Sequence, residues 1–85
     1  MQIQLRFFAG IRESLGTAHE SVTVPANIHT VGDVRNFLRE RGGVWAEVLA
    51  EGRLLRMAYN QEMTDADRQI ADGCEIAFFP PVTGG

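Results

Sequence analysis

Two stretches of strict alternation, far apart in the chain, constrain its folding more than anything else in the sequence. In "QIQLRFF", at 2–8, Ile3, Leu5 and Phe7 share one side while Gln2, Gln4, Arg6 and Phe8 take the other. In "CEIAFF", at 74–79, Cys74, Ile76 and Phe78 alternate with Glu75, Ala77 and Phe79. A period of two sends successive side chains to opposite faces of a pleated strand, so each stretch predicts a strand with one face in the core. Phe8 and Phe79 break the rule in the same way, as large apolar groups on the face that should meet water.

Between these strands the pattern changes. After a short connection, "AGIRESLG", the segment "HESVTVP" alternates again with Val22 and Val24 inward, and Pro25 ends it, so the first two strands read as a hairpin. Thr30 with Asp33 three residues on has the form of a capping box, and Val31, Val34, Phe37 and Leu38 then recur at helical spacing until Gly42-Gly43 stops the helix. "VWAEVLAEG" predicts a second short helical piece with Trp45 as a core plug. "RLLRMAYN" returns to strand character with Leu55, Met57 and Tyr59 on one side, and "EMTDADRQIADG" reads as an acidic loop with at most a short strand in it. The expected fold class is α+β, a mixed sheet with one main helix packed across it in a grasp-like arrangement. The last strand is expected to run parallel beside the first, which would bring Phe8 and Phe79 together as an exposed apolar patch.

The chain has 85 residues, so one core is all it can bury. With 45% apolar and 22% charged residues it has the makeup of a folded globular domain. The net charge of −3 and the absence of a basic stripe argue against nucleic acid. No apolar run is long enough to span a membrane and no secretory leader is visible, so the expected location is the cytoplasm. A single cysteine, Cys74, precludes an internal disulfide, and its inward parity makes it a packing group rather than a sulfur relay. His19 and His29 lack the spaced partners of a metal site, and "EMTDAD" lacks the glycine and terminal Glu of a calcium loop, so no metal is expected.

The remaining motif is "FFPPVTGG" at 78–85. Residues 1–79 are expected to form the domain and residues 80–85 a flexible tail. Pro80 and Pro81 pre-set extended backbone and reduce the entropy lost when a tail is immobilised. Thr83, Gly84 and Gly85 carry almost no bulk and no side-chain charge, which lets the backbone thread a narrow channel. A carboxylate is a poor acyl donor, so a tail of this kind becomes chemically useful once a nucleotide activates it. All eight basic residues are Arg, so lysine-linked self-chains cannot form.

Together, "FFAGIRE" at 7–13, "NQ" at 60 and 61, and "DGCEIAFFPPVTGG" at 72–85 carry a resemblance. The chain resembles the small, sulfur-carrying subunits of molybdopterin synthase, which have a ubiquitin-like β-grasp fold, over nearly its whole length. The resemblance implies that Gly85 is adenylated, with ATP used by a ubiquitin-activating-enzyme-like adenylyltransferase, and that a sulfur donor then makes it a thiocarboxylate. It further implies that the tail enters the large subunit of the synthase and donates sulfur to cyclic pyranopterin monophosphate. Gly85 would carry the sulfur, Thr83 and Gly84 would line the channel, and Phe8, Met63 and Phe79 would form the contact surface for both partners. The chain itself would bind no cofactor and act as a non-catalytic subunit. Cys74 and Tyr59 depart from the family pattern in positions away from the tail. Alternatives are a sulfur carrier for thiamine or another thiolated product, a ubiquitin-like protein modifier, and a binding domain that uses only the Phe8 and Phe79 patch.

Overall fold

A computed structural model describes residues 1–81. Five strands form one sheet: β1 (Gln2–Phe7), β2 (His19–Thr23), β3 (Arg56–Tyr59), β4 (Glu62–Thr64) and β5 (Glu75–Phe79), in the order β2-β1-β5-β3-β4. Helices α1 (Ala9–Leu15), α2 (Val31–Arg39) and α3 (Gly43–Val48) complete it. β1 and β5 are parallel, with Phe7 beside Phe78, and every other pairing is antiparallel. The first and last strands therefore meet at the centre of a mixed sheet, as their patterns predict.

The alternation of β1 is met side chain by side chain. Ile3, Leu5 and Phe7 are buried and face Ile76 and Phe78 of β5 together with Val31, Val34 and Leu38 of α2. The Phe7 ring stacks on Phe78 at 6.1 Å and receives the edge of Trp45 at 5.6 Å. Trp45 is half-buried rather than a sealed plug, because the Arg41 guanidinium lies 4.4 Å from its ring and shields its remaining face.

The capping box at α2 is present. The Asp33 N–H donates to Thr30 Oγ1 at 3.1 Å, and Asp33 Oδ2 accepts from the Thr30 N–H at 3.2 Å and the His29 N–H at 3.0 Å. The bond from the His29 backbone is the main reason the Asp33 carboxyl titrates below its ordinary range. α2 ends at Arg39 with Glu40 as its C-cap in right-handed backbone, before the glycines expected to stop it; Gly42 (φ 76°) and Gly43 (φ 54°) instead turn the chain into α3, which starts at Gly43.

One segment differs from the sequence expectation and a second is sharpened by the structure. "AGIRESLG" is not a bare connection: it holds α1, while β1 and β2 still pair antiparallel as neighbours, as the expected hairpin requires. Ile11 is the buried residue of that helix, and a single apolar position gives no periodicity to read. Within "EMTDADRQIADG" the short strand that the sequence allowed is present, since Glu62–Thr64 pairs with β3. The turn is the reason: Asn60 (φ 47°) and Gln61 (φ 71°) both take positive φ between the paired residues Tyr59 and Glu62, the mirror-image two-residue turn that matches strand twist. Asn60 also exchanges two bonds with Glu75 of β5, donating its N–H to the carbonyl at 2.8 Å and accepting the Glu75 N–H on Oδ1 at 2.9 Å.

Candidate functional site

The outward face of the sheet, at the end where residue 80 leaves it, holds the candidate site. Since Phe7 and Phe78 are register partners on the core side, the next residue along each strand falls on the opposite face, again side by side. Phe8 and Phe79 accordingly lie with ring centroids 6.2 Å apart, edge to face, and the Phe8 N–H donates to the Phe78 carbonyl at 3.2 Å. Phe8 remains 40% exposed, which for an ordered phenylalanine held by backbone bonding marks a surface that lacks its cover. Directly after Phe8, Ala9 adopts φ 51°, a left-handed conformation that turns the chain away from the sheet into α1. An alanine in that region is strained by about 1–2 kcal/mol, and here the strain lies next to the exposed ring.

One row further from the exit, the register runs Arg6, Ala77, Ala58, Met63 across β1, β5, β3 and β4. Met63 is 57% exposed and shares the face with the two rings, but two alanine-bearing strands separate it from Arg6. The three residues expected to form one surface thus divide into a touching pair, Phe8 with Phe79, and an outlying Met63. Ala58 and Ala77, buried under their longer neighbours, form the floor between them. Strand parity already assigns Ala77 to this face; Ala58 belongs there through its pairing with Ala77, which only the sheet order reveals.

Charge at the site is sparse. Arg6 lies 3.6 Å from Glu75 and its guanidinium carbon is 5.6 Å from the Phe8 ring, while Arg56 stands opposite Phe79 in the ladder. An open groove of about 700 Å³, bounded by Leu54, Leu55, Arg56, Met63 and Pro81, runs along the tail root. Leu54 is 81% exposed there. Among the described residues no three His, Cys, Asp or Glu side chains gather into a metal site, and His19 and His29 are both exposed. Cys74 is 4% exposed with its thiol in the core cluster, as its parity predicts. No helix among the described residues is long and apolar enough to cross a membrane. Thr83, Gly84 and Gly85 lie outside the described residues. The described surface thus presents an apolar patch, edged by Arg6, Glu75 and Arg56, next to the point where the chain leaves the sheet.

Known proteins share this fold. The chain is 42% identical to the molybdopterin synthase sulfur carrier subunit of Escherichia coli over 83 residues, 98% of this chain and 99% of that protein. Its fold superimposes on the crystal structure of SAMP1 from Haloferax volcanii with a TM-score of 0.80 and 28% identity, covering 100% of both chains. A complex of subunits 1 and 2 of the molybdopterin-converting factor from Helicobacter pylori contains a chain of the same fold, with a TM-score of 0.68, 23% identity and 100% of both chains covered. The ubiquitin-like β-grasp architecture expected from the sequence is thereby established. The ThiS family profile matches residues 5–85, and the chain belongs to the ThiS family.

Proposed function

We propose that this protein is the sulfur carrier of a molybdopterin synthase, with Gly85 as the atom-transferring end and the Phe8–Phe79 face as the surface its partners hold. The observation that carries the reading is the near end-to-end identity of 42% with a sulfur carrier subunit, on a fold whose Phe8–Phe79 pair borders the tail root. The similarity to a subunit seen in complex with subunit 2 of its converting factor supports a large synthase subunit as one partner. An adenylyltransferase and a sulfur donor would be the others.

In this scheme the Gly85 carboxylate attacks the α-phosphorus of ATP in the activating partner, pyrophosphate leaves, and the acyl adenylate results. Hydrosulfide delivered by the sulfur donor then attacks the carbonyl carbon, AMP leaves and a proton passes to solvent. The product, a thiocarboxylate, is more acidic and more nucleophilic than a carboxylate at neutral pH, so its sulfur can attack cyclic pyranopterin monophosphate in the large subunit. Two rounds would supply both sulfurs of the dithiolene. No residue of the globule performs acid–base chemistry in these steps; Thr83 and Gly84 would line the channel, and Phe8, Met63 and Phe79 would fix the docking geometry. ATP would be consumed by the activating partner, with no cofactor resident in this chain.

The test is a synthase reconstituted from this chain, its activating partner and the large subunit. Deleting Gly85 is expected to abolish molybdopterin formation while the far-ultraviolet spectrum and thermal midpoint stay those of the parent. Product formation by the truncated chain at the parent rate would refute the reading.

A further inference from the structure

The backbone at Ala9 is strained at a place where packing asks for no side chain. Ala9 has φ 51°, in the small left-handed basin that a residue with a Cβ enters only at a cost. It is exposed, so burial of its methyl group does not offset that cost. Gly10 follows immediately, is exposed as well, and does not take left-handed backbone. The residue type that would turn here without strain therefore stands one place too late.

The corner at Ala9 joins two fixed elements. On one side Phe8 continues the extended backbone of β1, with φ −127° and ψ 157°. Its N–H donates to the Phe78 carbonyl at 3.2 Å, which sets its ring outward with the Phe79 ring 6.2 Å away. On the other side α1 begins at once, with the Arg12 N–H donating back to the Phe8 carbonyl at 3.3 Å and Ile11 seated in the core cluster. Both polar groups of the Phe8 backbone are thus used, one toward the sheet and one toward the helix. α1 also borders the tail root, where Gly10, Ile11 and Ser14 face Pro80 across a cleft of about 220 Å³.

The width of the backbone basin determines what the methyl group does. For alanine the left-handed basin spans only about 20° in φ, and steric clashes bound it. Glycine moves freely through positive φ. Any drift in φ at residue 9 pivots α1 against the strand end and pulls on the Phe8 carbonyl that the helix holds. We infer that Ala9 is a positioning residue: its Cβ makes the corner rigid and so fixes the Phe8 ring in the orientation a docking partner meets, with local strain as the consequence. The inference rests on the carrier reading for the identity of that partner, whereas the ordering of the ring is a property of the free chain.

Two replacements separate rigidity from strain. Ala9→Gly removes both. A D-alanine replacement at Ala9, installed by chemical ligation, removes the strain and keeps the corner, because left-handed backbone is the ordinary helical region for a residue of that hand. Both are expected to raise the thermal midpoint of the free chain by a few degrees, D-alanine the more, since glycine adds entropy to the unfolded state. Nuclear Overhauser contacts between the Phe8 and Phe79 rings are expected to weaken in Ala9→Gly alone. Capture by the large synthase subunit, read by titration calorimetry, is expected to weaken about three- to ten-fold for Ala9→Gly, the effect of re-ordering one side chain on binding, and to stay at the wild-type value with D-alanine. Unchanged ring contacts in Ala9→Gly, equal affinity of all three chains, or equal weakening in both replacements would overturn the inference. A loss of affinity accompanied by a fall in thermal midpoint would overturn it too, since a merely structural role moves the two together. The ring contacts are read without a partner, so a Gly85 deletion that keeps activity would refute the carrier reading and leave this result standing.

Discussion

Gln61 shows how a single residue can be functional in pattern yet strained in structure. It occupies the second central position of the β3–β4 turn with φ 71°, where glycine meets no steric penalty and a side chain with a Cβ does. Gln61→Gly is expected to stabilise the domain by about 0.5–1 kcal/mol, net of the added unfolded-state entropy, read as a higher urea midpoint with unchanged slope. Its neighbour Asn60 suits left-handed backbone and also bonds twice to Glu75, so the "NQ" pair that carried part of the family resemblance is explained as a hairpin turn locked onto the central strand. Phe79 is the opposite case, a residue that local folding does not require. Phe79→Asp is expected to leave the thermal midpoint within a few degrees of the parent and to weaken capture by the large subunit. The loss is about thirty-fold, or about 2 kcal/mol, if this ring is a central anchor, as titration calorimetry would show. Outward placement of both rings was legible from parity alone. The strained Ala9 beside them was not, since nothing in the residue type signals φ 51°.

Among the elements, those read correctly from sequence are the ones whose own residues repeat. β1 and α2 each bury several side chains at regular spacing, β5 sends Ile76 and Phe78 into the core cluster, and α2 adds a capping box at its start. α1 was missed and β4 was expected only as at most a short strand, because seven residues with Ile11 alone buried, and three residues on a sheet edge, have too little pattern of their own. Elements this short are marginal by themselves and exist through tertiary packing. A similar long-range device ties α3 down: Arg35 of α2 donates from Nε to the Leu49 carbonyl at 2.9 Å and from Nη2 to the carbonyls of Ala50 and Arg53. On the other side, Arg41, just past α2, grips Glu20 of β2 with both guanidinium nitrogens, Nη1 to Oε1 at 3.0 Å, and lowers the Glu20 carboxyl below its ordinary 4.5. A carboxyl depressed in the folded state contributes stability that is complete above 4.5 and is lost as pH falls through the folded value. Glu20→Gln is therefore expected to lower the thermal midpoint slightly at neutral pH, by the equivalent of about 1 kcal/mol at most for so exposed a pair, with the difference from wild type vanishing in acid.

For the molecule as a whole, the radius of gyration of 12.0 Å is that of a tightly packed domain of this length, about 12 Å by the usual scaling. The core cluster and all strand pairing lie within residues 1–79, so the globule should not need its tail. Removing residues 82–85 is expected to leave the calorimetric midpoint and the unfolding enthalpy unchanged. The sequence by itself determined the two central strands and the main helix, the outward aromatics and the bare glycine terminus, because each is a local matter of side-chain periodicity or of a residue type that no other could replace. Only the tertiary structure decided that Ala58 joins Ala77 in a floor on the outward face and that Met63 lies apart from the two rings across it. Those outcomes depend on sheet order and register, which are set by contacts between residues distant in the chain and leave no periodic mark on it.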